Sequence, residues 1–208
     1  MTSKEQPSSE REVAAVLCVR LTPADGALDG LREAVVDGVA RRKGRLVAGA
    51  DGRLLVVVRN AYVATMCAVE VQQDLAARNA ALGEDQRIVA AMGVDVGEVD
   101  ASADGVAGWT VDIASQLAAM AAPEEILLSQ FAHGQAIGRS KQQYEDAGTV
   151  TITEEADPIT VHRLIYESRP YGFVPRVSGG AFKRRLWTAI LITVGIGVLY
   201  VSAYLKGN

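Results

Sequence analysis

The spacing of apolar residues along the chain separates strands from helices. Residues 13–21 form a continuous apolar run that closes at Thr22 and Pro23, which predicts a buried central strand. Residues 28–42 carry apolar side chains at helical spacing, and residues 62–82 repeat that pattern over a longer stretch. The chain is therefore predicted to begin with a strand and to carry two amphipathic helices.

Further strands are indicated by turn residues. Ala50, Asp51 and Gly52 stand between two short apolar runs, and Asp-Gly in that setting predicts a β-hairpin. The remaining apolar runs predict strands, one more helix and a closing hairpin: strands 44–48, 53–58, 87–96 and 126–128, helix 111–120, and hairpin 150–153 with 159–165. Short βα units mixed with hairpins indicate an α+β, ferredoxin-like fold, in which a mixed or antiparallel sheet carries helices on one face.

Residues 186–205 differ from everything before them. They contain no charged residue, and a helix of that length spans about 30 Å, the thickness of a bilayer core. Lys183, Arg184 and Arg185 precede the segment and only Lys206 follows it, so the preceding domain is expected to face the cytoplasm. We predict one transmembrane helix that anchors the chain in the cell membrane. A buried helix of a soluble protein is the alternative.

These patterns divide the chain into four parts. Residues 1–12 are polar and predict a disordered tail, and residues 13–167 form one folded domain. Residues 168–185 contain proline, glycine and basic residues, as a linker next to a membrane does. The membrane segment at 186–205 follows, and it is expected to contact lipid.

Composition excludes some functions. The 208 residues carry a net charge of -4 with scattered basic residues, whereas phosphate-backbone binding needs a clustered positive face, so no nucleic-acid partner is expected. Cys18 and Cys67 both lie inside apolar runs and are interpreted as reduced core residues. His133 and His162 have no partners at ligand spacing and are interpreted as surface or capping residues.

Several motifs, in order, resemble the class III adenylate/guanylate cyclase catalytic domain. They are GRLVAGADGRLLVVV at 44–58, MGVDVGEV at 92–99, GWTVDIASQL at 108–117 and the closing segment 151–164. The resemblance covers roughly 14–166. It implies the cyclase fold and a site at a dimer interface where two metal ions, Mg or Mn, help to convert ATP or GTP into the cyclic nucleotide.

The positions that the resemblance assigns to catalysis are mostly altered. The two metal-binding aspartates fall on Arg20 and Asp51, and a guanidinium cannot ligate a cation. The partner-subunit Asn and Arg fall on Asp112 and Gln116. The base-selecting Asp has Asp104 one residue out of register. Asp51 is the one retained residue, as a metal ligand or, in the simpler interpretation, as the turn residue of its hairpin.

The first hypothesis is therefore a membrane-anchored, catalytically inactive cyclase homology domain. It would act as a dimerising regulatory or binding module in signalling, with itself or with another cyclase-type domain, and no cofactor is expected. The alternative is a cyclase subunit that contributes part of a composite site in a heterodimer, with Mg or Mn. A third possibility is a cleft that still binds a nucleotide or another small ligand.

Overall fold

The computed structural model describes residues 10–22, 39–40, 42–49, 52–102, 105–153 and 156–166. The predicted linker and membrane segment lie outside these residues, as do Asp51, Asp104 and most of the predicted helix 28–42. Within the described ranges, no helix is long and apolar enough to cross a membrane. The membrane helix therefore stays a prediction.

Within the described residues, eight strands and three complete α-helices are present. The strands are β1 (Glu10–Thr22), β2 (Arg45–Ala48), β3 (Leu54–Val58), β4 (Val89–Ala101), β5 (Val106–Ala107), β6 (Ile126–Ser129), β7 (Gln143–Val150) and β8 (Ile159–Ile165). The helices are α1 (Ala61–Asn79), α2 (Trp109–Met120) and α3 (Gln130–Ala136). The predicted elements are confirmed at 13–21, in the first hairpin, and at 62–82, 87–96, 111–120 and 126–128, with shifted ends.

The strands form one mixed sheet in the order β2-β3-β1-β4-β6-β8-β7, and β5 pairs with the end of β4. Only β4 and β6 run parallel, with Gly93 opposite Leu127, and the other neighbours are antiparallel. The long central strands β1 and β4 pair from Glu10 opposite Ala101 to Thr22 opposite Val89. This pair forms the centre of the fold.

Helices cover both faces of the sheet, so the prediction of helices on one face is wrong. Leu17 and Val19 on β1 pack in the cluster that contains α1 and α3. Val16 and Cys18, which alternate with them, pack against Ala114 of α2 on the other face. The physical reason is the continuous apolar run in β1, because a strand that is apolar at every position needs cover on both faces.

The close packing of α2 on the sheet depends on a glycine in β4. A Cβ atom at Gly93 would overlap the backbone of Ala114 and Ala118. Four residues along, Gly97 lies against Thr110, whose hydroxyl donates to the carbonyl of Glu98 at 2.9 Å. The two glycines allow the helix backbone to rest directly on the strand.

The closing hairpin is present, but its first strand was placed too late in the chain. β8 pairs with β7 from Gln143 opposite Ile165 to Val150 opposite Ile159, so of the predicted residues 150–153 only Val150 belongs to the strand. β7 is an edge strand whose side chains are mostly exposed, so it lacks the apolar alternation by which strands are predicted. The short helix α3 was also missed, although Ser129 caps its first turn by accepting from the backbone N–H of Ala132 at 3.1 Å.

The interpretation of the two cysteines is confirmed, since Cys18 and Cys67 are both buried and neither forms a disulfide. Helix α1, which carries Cys67, begins at an N-cap: the side chain of Asn60 accepts from the backbone N–H of Val63 at 3.0 Å. At its other end the side chain of Asn79 bonds to the backbone of Ile88. These bonds connect α1 to the segment that leads into β4.

Candidate functional site

A groove of about 490 Å³ lies on the α2 face of the sheet. One wall comes from the β2–β3 hairpin, the other from the exposed side of α2, and the segments before β5 and after β7 close the ends. The lining residues are Val47, Gly49, Arg53, Leu55, Gly105, Val106, Trp109, Val111, Asp112, Ser115, Gln116, Ala119, Ile152 and Thr153. The groove contains most of the described positions that the resemblance assigns to catalysis.

One guanidinium group lines an end of the groove, and a second lies on the neighbouring strand. The β1–β3 ladder ends at Val19 opposite Leu54, so Arg20 and Arg53 are the next residues on these adjacent strands. By strand alternation both share the α2 face with Cys18 and Leu55. Arg20 is exposed, and Arg53 lines the groove. The guanidinium of Arg53 therefore lies in this end of the groove, and that of Arg20 lies on the same face beside it.

Asp112 and Gln116 lie one helical turn apart on the opposite wall. Both side chains are exposed on α2 and both line the groove. Nearby, the guanidinium of Arg45 donates to the carbonyl of Ser102 at 2.7 Å and more weakly to that of Gly105. Arg45 therefore fixes the rim of the groove, and Asp112 places an exposed carboxylate on its wall.

The Cys18 side chain lies beneath the groove. Burial raises the pKa of the thiol, and this outweighs the opposing effects of a hydrogen bond with Ser115 and of the charges on Arg53 and Arg20. A thiol whose pKa is raised stays protonated at neutral pH and is a poor nucleophile or metal ligand. Cys18 is therefore a core residue rather than a reactive one.

The residues present do not fit the pair of metal ions that the resemblance implies. Mg²⁺ and Mn²⁺ take oxygen ligands, chiefly carboxylates, whereas the described side chains at this end are the guanidiniums of Arg20 and Arg53. Within the described ranges, no three residues among His, Cys, Asp and Glu come together in a way that could hold a metal. Asp51, the retained candidate ligand, lies outside these ranges. The described charged side chains at this end of the groove are therefore cations, which do not ligate a metal ion.

A buried carboxylate, missed in the sequence, lies on the same face of the sheet. Asp95 is only 2% exposed and accepts a hydrogen bond from the hydroxyl of Ser129. Burial raises the pKa of Asp95 to about 6, and the bonds from Ser129 and from the backbone of Val96 oppose that rise only in part. Ser129 also caps α3, so Asp95 connects β4 to the start of that helix. In the sequence, this buried carboxylate could have been found as an acidic residue inside an otherwise apolar strand.

The two histidines, interpreted as isolated, are in contact. The rings of His133 on α3 and His162 on β8 stack with centroids 3.8 Å apart, and Tyr144 on β7 meets His133 edge-on at 4.9 Å. Burial, and then the neighbouring His162, lower the pKa of His133. Twenty-nine residues separate the two histidines in the chain, so only the pairing of β8 with β6 and β7 brings them together.

No family model matches the chain. A protein described as putative adenylate cyclase 3 from Rhizobium meliloti (strain 1021) is 28% identical over 123 residues, which cover 59% of this chain and 21% of that protein. The chain thus spans about a fifth of the length of this curated relative.

Solved structures of cyclases share this architecture. An adenylate/guanylate cyclase/hydrolase from Silicibacter pomeroyi superposes with a TM-score of 0.68 at 23% identity, over 76% of this chain and 99% of that one. The non-canonical dimeric guanylyl cyclase domain of the RhoGC fusion protein from Blastocladiella emersonii gives 0.63 at 16% identity, over 76% and 98%.

These matches confirm the α+β fold of the class III adenylate/guanylate cyclase domain. The described part of the chain has the fold of adenylate and guanylate cyclase domains, and part of it is similar in sequence to one putative adenylate cyclase. Because a shared fold does not carry an activity with it, the function has to be argued from the groove.

Proposed function

We propose that this chain is a catalytically inactive cyclase homology domain that acts as a dimerising regulatory module in signalling. The observation that supports it is Arg20, which stands on β1 where the resemblance requires a metal-binding aspartate, next to Arg53 at the end of the groove. Guanidinium groups have no lone pair to offer a cation and repel it, so they oppose two-metal chemistry there.

The other wall of the groove supports the same proposal. Asp112 stands where the resemblance expects an Asn, and a carboxylate at that point repels a triphosphate. Gln116 stands where it expects an Arg, which removes a fixed positive charge that would stabilise the transferring phosphoryl group. Loss of one such charge-stabilising contact costs about 3–4 kcal/mol of transition-state stabilisation, and here several are lost together.

Membrane anchoring belongs to the proposal. Residues 186–205 are apolar and long enough to span a bilayer, and three basic residues precede them. The segment would hold the domain at the cytoplasmic side of the cell membrane and contact lipid. Confinement to a membrane raises the local concentration of chains, and it would therefore favour pairing of two copies or pairing with another cyclase-type domain.

A composite enzyme is the second candidate. Asp112 places a carboxylate in the groove, and a partner with intact metal ligands and an intact Asn and Arg could complete one site against this chain. The domain would then be a cyclase subunit that is active only in a heterodimer, and Mg or Mn would be needed. This candidate requires most of the chemistry to come from the partner.

An activity measurement separates the two candidates. The purified full chain, in a non-ionic detergent at high protein concentration, is given ATP or GTP with excess Mn²⁺, and cyclic nucleotide is measured. We expect no turnover above a blank without protein. Turnover that Asp51→Ala abolishes would overturn the proposal for the chain alone. Turnover that appears only after a cyclase-type partner from the native host is added would favour the composite enzyme.

A further inference from the structure

Both histidines of the chain meet at one contact between α3 and β8. The sequence contains only His133 and His162. Their rings stack with centroids 3.8 Å apart and with planes 26° from parallel, and Tyr144 of β7 meets His133 edge-on at 4.9 Å. Imidazole is the commonest metal ligand among protein side chains. The fold thus brings all of the imidazole groups of the chain to one place.

The histidine pair lies on the α1 face of the sheet, away from the groove. His162 stands opposite Leu128 in the pairing of β6 with β8, and Leu128 and Leu164 belong to the core that α1 and α3 cover. Because side chains alternate along a strand, His162 shares the face of Leu164. His133 and His162 are each only partly buried. An ion from solution can therefore reach the pair without entering the core.

The ring nitrogens of the two histidines form no hydrogen bond with the described part of the chain. A histidine that only packs in a protein interior commonly donates a ring N–H to a carbonyl or a carboxylate. Burial, and then the neighbouring His162, lower the pKa of His133, so this ring is neutral at pH 7. A neutral imidazole has a lone pair and is the form that binds a metal ion. The lone pair of His133 is therefore available to an ion.

The spacing of the two rings suits a tetrahedral metal ion. Zn²⁺ binds imidazole nitrogen at about 2.0–2.1 Å, so two such nitrogens on one tetrahedral ion lie about 3.3 Å apart. Rings whose centroids are 3.8 Å apart reach that separation by a small rotation of the side chains. We infer that His133 and His162 together bind a divalent transition-metal ion that prefers imidazole nitrogen, such as Zn²⁺, and that this ion joins α3 to β8.

Water would supply the remaining ligands of this ion. Among the described residues, no third His, Cys, Asp or Glu is placed to hold a metal ion with the pair. Asp146 lies opposite His162 on β7, and its Oδ1 accepts from the backbone N–H of Gly148 at 2.7 Å. Its carboxylate adds negative charge beside the pair, which favours a cation there. Two imidazoles with open positions make an exchangeable site rather than a closed structural one.

The ligand set distinguishes this ion from others. Mg²⁺ and Ca²⁺ take oxygen ligands, so they gain little from two imidazoles. The two thiols of the chain, Cys18 and Cys67, are buried and do not compete for an ion from solution. The inference goes beyond the proposed function and does not depend on it, because the histidine pair and the groove lie on opposite faces of the sheet.

Titration calorimetry tests the inference. The full chain, in a non-ionic detergent and with a tag that contains no histidine, is titrated with Zn²⁺ and separately with Mg²⁺. We expect one Zn²⁺ per chain and no comparable binding of Mg²⁺. His133→Asn and His162→Asn should each weaken Zn²⁺ binding at least about tenfold, because each removes one of the two protein ligands. Tyr144→Phe is the matched control: it keeps the ring beside His133, loses only a hydroxyl and should bind Zn²⁺ as the wild type does.

Two further measurements keep the test decisive. An ion that binds only the folded state raises the midpoint of thermal unfolding, so Zn²⁺ should raise it for the wild type but not for the variant that lacks both histidines. Zn²⁺ should also shift the imidazole resonances of the wild-type chain in NMR spectra. This last measurement needs no variant, so it decides the matter even where far-UV circular dichroism shows that a variant is misfolded.

The outcomes that would overturn the inference are specific to the histidine pair. Zn²⁺ binding that is unchanged in both single variants, or imidazole resonances that do not move, would leave the stacked rings as a packing contact only. Equal binding of Mg²⁺ and Zn²⁺ would also overturn it, since an oxygen site has that property. None of these results bears on the proposed function, which the measurement of cyclic nucleotide tests separately.

Discussion

The two faces of the sheet are covered to different degrees. On one face α1, α3 and the central strands share a single continuous core in which Leu17, Met92 and Leu128 are fully buried. On the other face α2 covers only the middle of the sheet, and two smaller clusters lie beneath it. The groove with Arg53 and Asp112 occupies the uncovered part.

The continuous core on the α1 face serves stability, whereas the groove on the α2 face is the part whose chemistry can change. A closed apolar core tolerates few changes, because each buried methylene contributes to folding. An open groove lined by exposed side chains tolerates changes of charge at little cost to stability. The altered positions of the cyclase-like site, Arg20, Asp112 and Gln116, are all exposed and all on the open face. The fold can persist while this face changes its chemistry.

The largest effect is expected in the closed core. Leu17→Ala removes a side chain with no exposed surface from the α1 face, and such truncations lower the free energy of unfolding by about 2–5 kcal/mol. Urea unfolding followed by circular dichroism measures the change. Val13→Ala is the control on the same strand, since Val13 is 68% exposed, and its effect should stay within about 0.5 kcal/mol. Equal losses of unfolding free energy in the two variants would show that the core on the α1 face is not tightly packed around Leu17.

A pH-dependent effect is expected beneath α2. Burial raises the pKa of Asp95 from 3.8 to about 6, so the folded state holds this proton more tightly than the unfolded state. The stability from this group is present below about pH 4 and is lost as the pH rises towards 6. A shift of that size corresponds to a loss on the order of 3 kcal/mol.

Asp95→Asn should remove this loss, because the amide keeps an oxygen that accepts from Ser129 but carries no charge. The measurement is the free energy of unfolding between pH 4 and pH 7 for the variant and for the wild type. Asp74→Asn, an exposed position on α1, is the matched control and should keep the wild-type pH dependence. A variant that retains the wild-type slope would contradict the assignment to Asp95.

A smaller effect is expected where α2 rests on the sheet. Gly93→Ala places a methyl group against the backbone of Ala114 and Ala118, which must move away, and overpacking of this kind costs about 1–3 kcal/mol. Thermal unfolding measures it. Gly83→Ala is the control, because no atom lies within 4 Å of the added Cβ there. Retention of full stability by Gly93→Ala would mean that α2 is more loosely seated than the structure indicates.

The smallest effect is expected at the edge of the closed face. Burial and the stacked His162 lower the pKa of His133, so the folded state loses stability as the pH falls through the ordinary histidine range near 6.5. His162→Asn should raise the pKa of His133 part of the way back, since burial is the larger cause. Titration of the imidazole resonances by NMR measures this, and an unchanged pKa of His133 would contradict coupling between the two rings.

Much of the fold followed from the sequence because the core strands and helices have strong apolar patterns. The run around Leu17, the Asp51-Gly52 turn and the helical spacing in 62–82 each predicted an element that the structure contains in full or in part. Weak apolar patterns gave wrong predictions: β7 is exposed along most of its length, and of its residues only Val150 was assigned to a strand. A strand at an edge is held by its neighbour's hydrogen bonds rather than by its own burial.

The candidate site could be predicted only in part. The sequence alone shows that Arg20, Asp112 and Gln116 differ from the residues that the resemblance assigns to catalysis. Their arrangement in space cannot be predicted from the sequence, because Arg20 lies on strand β1 and the other two lie on helix α2, which are far apart in the chain. Asp95 shows the same limit, since its raised pKa comes from burial that only the packing of distant elements creates.

The sequence by itself determined the order and type of most elements, since apolar period and turn chemistry act over a few neighbouring residues. The tertiary structure decided which face each helix covers, that Arg20 lies beside Arg53, and that His133 stacks on His162. These features depend on strand register and on contacts between residues far apart in the chain. A local pattern carries no information about such contacts, because it ends within a turn or two.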